Sequence, residues 1–361
     1  MPTAWERDLE AARAGLTRWL RGKLPNATEL DVTGLVAPQS SGFSNETLLF
    51  DMAWTEAGRH RMASLVARIA PTGFAVFPEY DLRLQFECMR LLAPAGVPVP
   101  RVYWLETEDE SVFGAKFYVM GRVDGRVPSD RPPYPVEGWL KELAPESQAQ
   151  IWWGGIECMA RIHSLDWRGL GLGFLDRPEL GRTGLEQQMR YWERYMRWVA
   201  RGRPQPTIEA AWGWLVRNQP DDASDSLVWG DARIGNIIFA ADGTEALSVL
   251  DWEMATHGNG EQDLAWAIFV DRHHSEGLGV PRLPGFPSYQ ETISRYEELS
   301  GRAARLQEFY GIFAGYRFAV IMSRIAQQMV HYGVLPADSK FETDNMVTRL
   351  LAKDLGLAAP E

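Results

Sequence analysis

Residues 228–240 read VWGDARIGNIIFA and residues 249–253 read VLDWE. The pattern is an apolar strand, a tight polar loop, a second apolar strand, a turn, and a third apolar strand that ends in an acid. Asp242-Gly243 supplies the turn, a hairpin signal between two apolar or β-branched runs. Such a hairpin brings Asp231, Asn236 and Asp251 to one end of a sheet. Phosphoryl transfer from a nucleoside triphosphate asks for that trio. One carboxylate takes the proton of the acceptor hydroxyl. The asparagine and the other carboxylate hold magnesium on the phosphates with hard oxygen ligands. The plainer reading makes the three residues turn formers that cap strand ends. Their spacing and the flanking strands favour the site.

Trp229-Gly230-Asp231, Asn236 and Asp251-Trp252-Glu253 carry a resemblance. The chain resembles the aminoglycoside phosphotransferase-like kinases, with their His-Gly-Asp loop, following asparagine and later magnesium-loop aspartate. The resemblance spans about residues 35–270 and is more diffuse beyond. It implies Asp231 as catalytic base and Asn236 and Asp251 as magnesium ligands. It also implies an α+β, two-lobed protein-kinase-like fold. Trp229 stands where the family often has histidine. In this the chain is similar to the branch that includes kinase-like domains of acyl-CoA dehydrogenase fusions and mycobacterial phosphotransferases, rather than the drug-resistance enzymes.

The 361 residues are 45% hydrophobic, ample for a large core in one unit or two packed ones. A net charge of −11 with no basic stripe argues against nucleic acid as a partner. The acidity either helps attract a cationic substrate or simply keeps the chain soluble. Cys88 and Cys158 lie in apolar helical contexts and read as buried free thiols. No Cys/His cluster suggests zinc. No run has the length of a membrane span and the first fifteen residues lack an apolar signal core, so a cytoplasmic protein without membrane partners is the expectation.

Taken in order, residues 5–24 have helical apolar spacing, closed by Pro25-Asn26. Residues 35–37 read as a short strand and 47–54 as a second. Between them, Ser40, Ser41, Gly42 and Ser44 are small enough for backbone N–H groups to approach phosphates, although such loops also serve as plain hairpins. The resemblance makes this the nucleotide-covering loop. A third strand, 61–70, places Leu65, Ala67 and Ile69 on one face and Arg68 on the other. Arg68 needs a partner there: a phosphate gripped by its planar fork, or a structural ion pair. In the family that position is usually lysine, paired with a helix glutamate. Residue 85, on the helix predicted for 80–93, is glutamine, so an Arg68–Gln85 contact is expected instead. Strands at 102–105 and 116–120 complete a five-stranded antiparallel sheet. Met120, Gly121 and Val123 then form the hinge in the family, where the adenine edge meets the backbone. Glycine there also suits a simple linker.

Beyond residue 139 the chain turns helical, over 146–165, 185–199, 210–216 and 303–355. Trp192, Tyr195, Met196, Trp198, Trp212 and Trp214 serve as core or as walls of an apolar acceptor pocket. His163, near a helix end, reads as a core or capping residue. Asp263 reads as a helix cap, or, by resemblance, as a brace behind the catalytic loop; the structural role is preferred. His257 is a candidate phosphate or substrate contact, and Arg317 and Arg324 candidates for an anionic substrate. The chain thus divides into a sheet lobe, 1–122, and a helical lobe, 123–361. ATP, with GTP as the alternative, and magnesium lie between them, and a small-molecule hydroxyl accepts the phosphoryl group. The competing class is a nucleotide-binding pseudokinase, favoured by Arg68, Gln85 and Trp229.

Overall fold

Helix α1, Leu9–Lys23, begins where the Asp8 carboxylate accepts the N–H groups of Glu10 and Ala11, a standard N-cap. It buries Ala12, Leu16, Trp19 and Leu20 against one face of a sheet. The computed structural model describes residues 7–38 and 45–360. The sheet contains β1 (Thr28–Val36), β2 (Glu46–Glu56), β3 (Arg59–Ile69), β4 (Val102–Glu106) and β5 (Phe117–Gly121), in the order β1-β2-β3-β5-β4. All its pairings are antiparallel, as expected. Leu65, Ala67 and Ile69 are fully buried toward α1, while Val66 and Tyr118 face α2 (Leu82–Leu92). Strand β1 is longer than the three residues predicted. Glu29 and Gly34 are left-handed and the register slips twice, so its apolar positions break the period that would have shown it. The loop carrying Ser40, Ser41, Gly42 and Ser44 lies outside the described residues.

The second lobe is built on α3 (Trp139–Glu142), α4 (Pro145–His163), α5 (Gly184–Ala200), α6 (Pro206–Arg217), α7 (Glu261–His274), α8 (Tyr289–Ser300), α9 (Gln307–His331) and α10 (Met346–Asp354). Short strands β6 (Ser226–Val228), β7 (Ile237–Phe239), β8 (Ala246–Val249) and β9 (Thr256–Gly258) carry the loops between them. The hairpin read from the sequence is β7–β8, paired from Ile237↔Val249 across the Asp242-Gly243 turn. The tail is not one helix: α9 and α10 are separate. Helix α8 was not predicted, although Ser288 and Glu291 form a capping box at its start. Cys88 and Cys158 are buried and free, and burial pushes the Cys158 thiol up to about 11. Among the described residues no helix is long and apolar enough to cross a membrane.

Segment 70–80 crosses from the sheet lobe onto the helices of the second. Val76 and Phe77 are buried among α5 and α9 residues. The Tyr195 hydroxyl donates to the Val76 carbonyl (2.5 Å), Arg324 Nε to the Ala75 carbonyl (2.8 Å), and the Tyr332 hydroxyl accepts from the Phe74 N–H (3.2 Å).

Candidate active site

Strand β6 delivers the loop 229–236, and α7 holds it from behind. Asp263 is fully buried in the first turn of α7. Its carboxylate accepts the main-chain N–H groups of Trp229 (2.7 Å) and Gly230 (2.8 Å) and faces His163 Nε2 (2.9 Å). The helix N-cap is Gly260, so Asp263 is not the cap preferred from sequence; its side chain turns to the loop's unpaired donors instead. His163 is core as expected, and its Nδ1 meets the Tyr296 hydroxyl (2.8 Å). Gly230 is left-handed (φ 97°), and a Cβ there would strike the Met254 main-chain carbonyl, so only glycine fits.

Asp231 is thereby presented with both oxygens engaged. Trp266 Nε1, one turn along α7 from Asp263, donates to Oδ1 (2.7 Å). Asn236 Nδ2 donates to Oδ2 (2.7 Å) and to the Asp231 main-chain carbonyl (3.0 Å). Arg233 Nε reaches both oxygens (3.2 Å each), while its Nη1 binds Asp130 (2.6 Å). With its nitrogen on Asp231, Asn236 turns its amide oxygen away from that carboxylate. Asp251 follows β8 in a left-handed conformation (φ 60°) that costs a non-glycine residue about 1–2 kcal/mol. Its Oδ1 is buried without a hydrogen-bond partner, and its Oδ2 lies 3.7 Å from Arg68 Nη2. Burial, then the Asp231 charge, hold the Asp251 pKa above the usual carboxylate range, against Arg68 and Arg233. An orphaned carboxylate oxygen and an amide oxygen, on stretches joined by the Leu250 N–H to the Asn236 carbonyl (2.8 Å), are the donor types of a hard divalent cation. Among the described residues no group of three His, Cys, Asp or Glu is arranged to hold a metal. Asn236 and Asp251 carry hard oxygen donors of the kind that magnesium takes.

Arg68 is on the cleft face of β3. Nη1 donates to Thr47 Oγ1 (2.9 Å). Burial opposes its charge, but Asp251, Tyr118 and Glu253 together outweigh that and raise its pKa. The expected Arg68–Gln85 contact is absent. Tyr118, opposite Arg68 in the β3–β5 register, stands between them and donates its hydroxyl to Gln85 Oε1 (3.2 Å). A glutamine can receive a phenol's proton but leaves no negative charge for the arginine, which turns to Asp251 instead. At the hinge, Gly121 donates to the Arg101 carbonyl (2.7 Å) and Arg122 to that of Ser64 (2.9 Å). Val123, half-buried, carries the next main-chain N–H, for which no described residue is an acceptor. Met120 is buried behind it.

Three other sequence candidates lie elsewhere. His257 is buried on β9, which pairs with β6, and is stacked on Trp167 and held by Asp225 (2.8 Å) and Gln187 (3.1 Å). Arg317 is buried behind the loop, where Nη2 donates to the Gly230 carbonyl (2.9 Å) and the guanidinium lies over Trp192 and Trp266. Burial pushes it down to about 10. It supports the loop and does not meet a substrate. Arg324 binds segment 70–80. Trp192 and Tyr195 are core. Tyr80 and Tyr191 are half-buried and pack against the same cluster as Trp192 and Tyr195. Neither these nor Arg233 and Trp266 were singled out in the sequence; Arg233 was visible there as a cation two residues from Asp231. The cavity behind the loop, between Trp152, Met159, Trp229 and Val270, is about 20 Å³, room for roughly one water molecule and no acceptor.

The profile of the phosphotransferase enzyme family matches residues 36–299. The chain is 30% identical over 358 residues to acyl-CoA dehydrogenase family member 11 of Gallus gallus, covering 96% of this chain and 43% of that protein. It spans between about a fifth and two fifths of the length of the curated relatives it matches. Its fold is similar to that of a Ralstonia eutropha protein solved as a candidate aminoglycoside phosphotransferase (TM-score 0.65, 24% identity, covering 94% of this chain and 98% of that one). It is also similar to an aminoglycoside phosphotransferase solved as a ternary complex with AMP-PNP and hygromycin B (TM-score 0.51, 13% identity, covering 94% and 98%). With the profile matched over well more than half its length, the chain belongs to the phosphotransferase enzyme family.

Proposed function

We propose that the chain transfers the γ-phosphoryl group of ATP to a hydroxyl of a small molecule, with magnesium. The observation that carries this reading is the pairing of Asp231 with Asn236 (2.7 Å) beside the unpartnered Asp251 oxygen. Asn236 and Asp251 would hold the magnesium, which when bound neutralises charge on the phosphates. Asp231, fixed by Trp266, Asn236 and Arg233, orients the acceptor hydroxyl and receives its proton. Arg68 and Arg233 grip phosphate oxygens with planar donors, and Ser40, Ser41, Gly42 and Ser44 cover them. The hinge at Met120, Gly121 and Val123 takes the base; a guanine edge is the alternative to adenine. The lobes divide near residue 122, and a cytoplasmic setting, with ATP and magnesium at hand, suits the reaction. The names of the curated relatives favour a hydroxyacyl thioester as the alcohol.

Calorimetric titration of ATP, with and without magnesium, on wild type and Asp251→Ala tests the cleft. Magnesium-dependent binding lost in the variant is the expected result; no binding at all sinks the reading. Asp231→Asn should abolish turnover while nucleotide binding stays. One observation favours a second reading. Arg68 is committed to Thr47, Tyr118 and Asp251 with a neutral Gln85 behind it, which suits a nucleotide sensor without catalysis. ATP binding that ignores both magnesium and Asp251→Ala would select it.

A further inference from the structure

A hollow of about 550 Å³ opens at the far end of α9, on the outer side of segment 70–80. It is within the range of small-molecule sites. Its lining includes Arg201, Arg203, Arg324 and His331, and one acid, Glu342. Glu342 Oε1 accepts from Arg203 (2.8 Å), Gln205 (2.8 Å) and Gln327 (2.8 Å), so one carboxylate stands against three guanidinium groups. Arg324 is 4% exposed and clamped between Phe74 (3.6 Å) and Trp198 (4.2 Å). Nε and Nη1 are used on Ala75 and Gln327, and Nη2 has no partner among the described residues. Arg201, left-handed at the end of α5, has no side-chain partner among them either. Burial, then the Arg201 charge, push Arg324 down to about 10. So, in a chain of net charge −11, cations converge on one hollow with too little negative charge to balance them.

We propose that this hollow is a second ligand site, for a phosphate-bearing small molecule with an apolar portion. Arg201 and Arg324 present planar donors that match phosphate oxygens, and a held guanidinium loses little freedom on binding. Val330, Leu335 and Phe341 on the same lining receive the apolar portion. The site stands on its own residues and not on the phosphoryl-transfer reading. Helix α9 joins the two, since Arg317, two turns before Arg324, holds the Gly230 carbonyl.

The probe is inorganic pyrophosphate in magnesium-free buffer, titrated by calorimetry and followed by tryptophan fluorescence, which Trp198 should report. Wild type, Arg201→Ala, Arg201→Glu and Arg68→Ala are compared, with melting curves to verify folding; Arg201 is exposed and unpartnered, so its variants should fold. The expected result is one binding event that survives Arg68→Ala. It should weaken roughly tenfold in Arg201→Ala, the loss of one charge-assisted contact, and vanish in Arg201→Glu. Absence of binding overturns the proposal. So does binding indifferent to Arg201→Glu, or binding removed by Arg68→Ala alone, which would assign the pyrophosphate to the nucleotide cleft. Failure of the cleft to bind ATP would be seen separately and leaves this result standing.

Discussion

Trp266 fixes one oxygen of Asp231 by a single indole N–H at 2.7 Å, closer than Arg233 Nε at 3.2 Å. Trp266→Phe keeps the ring against Arg317 and Phe318 but removes the donor. A charge-assisted bond of this kind is worth about 1.5–3 kcal/mol. Turnover should therefore fall roughly 10- to 100-fold, with ATP binding nearly unchanged, because the lost contact orients the acceptor side of the site. Steady-state kinetics beside calorimetric ATP binding separates the two. An equal loss of both would show that the tryptophan shapes the whole cleft. Asp231, Asn236 and Asp251 could be picked out in the sequence because hairpin spacing joins them. Trp266 and Arg233 could not be, since a tryptophan on an apolar helix reads as core until the fold aims its N–H.

At the scale of elements, two pins hold the architecture. Asp263 ties α7 to the loop after β6. Replacing it with alanine orphans two buried main-chain N–H groups and the partner of His163, a loss of about 3–5 kcal/mol. Thermal melting should show Asp263→Ala strongly destabilised even where activity is not assayed. Glu106, at the end of β4, ties α1 to the sheet by accepting from Trp19 (2.8 Å) and Lys23 (3.2 Å). Burial works against its charge, but those donors and the Asp109 and Glu108 N–H groups hold its pKa at about 2, down from 4.5. A carboxylate depressed in the folded state adds stability that is full above its unfolded value and lost as pH falls through its folded value. Wild type should weaken between about pH 4.5 and 2, while Glu106→Gln should be weaker above that window and flatter across it. Equilibrium denaturation at several pH values checks this. The antiparallel order and the α1 face were legible from alternation and helical spacing. Strand β1 was hidden by its two left-handed residues, and α8 by a polar, weakly patterned surface.

For the whole molecule, segment 70–80 links the sheet to α5 and α9, so lobe geometry depends on where Val76 and Phe77 are buried. Phe77→Ala should cost about 3 kcal/mol or more, the usual range for a buried phenylalanine. It should also release the segment to limited proteolysis and raise the magnesium–ATP concentration needed for half-saturation. Protection of residues 70–80 in the variant, measured by mass spectrometry of the digest, would show that the lobes are held by other contacts, such as Asn45 to Glu253 (3.0 Å).

The linear sequence determined the β7–β8 hairpin that joins Asp231, Asn236 and Asp251 and, through the family resemblance, the class of the fold. The hairpin rests on local order: a turn dipeptide between apolar runs and polar residues a few positions apart. Only the tertiary structure decided which long-range polar partners those residues take. It placed Tyr118 between Arg68 and Gln85, turned Asp263 to the loop instead of its own helix, withdrew His257 and Arg317 from the cleft, and gathered Arg201 and Arg324 about a common hollow. The reason is physical. A buried donor or charge must be paired wherever the packed chain supplies a partner, and residues a hundred positions apart carry no mark in sequence of that meeting.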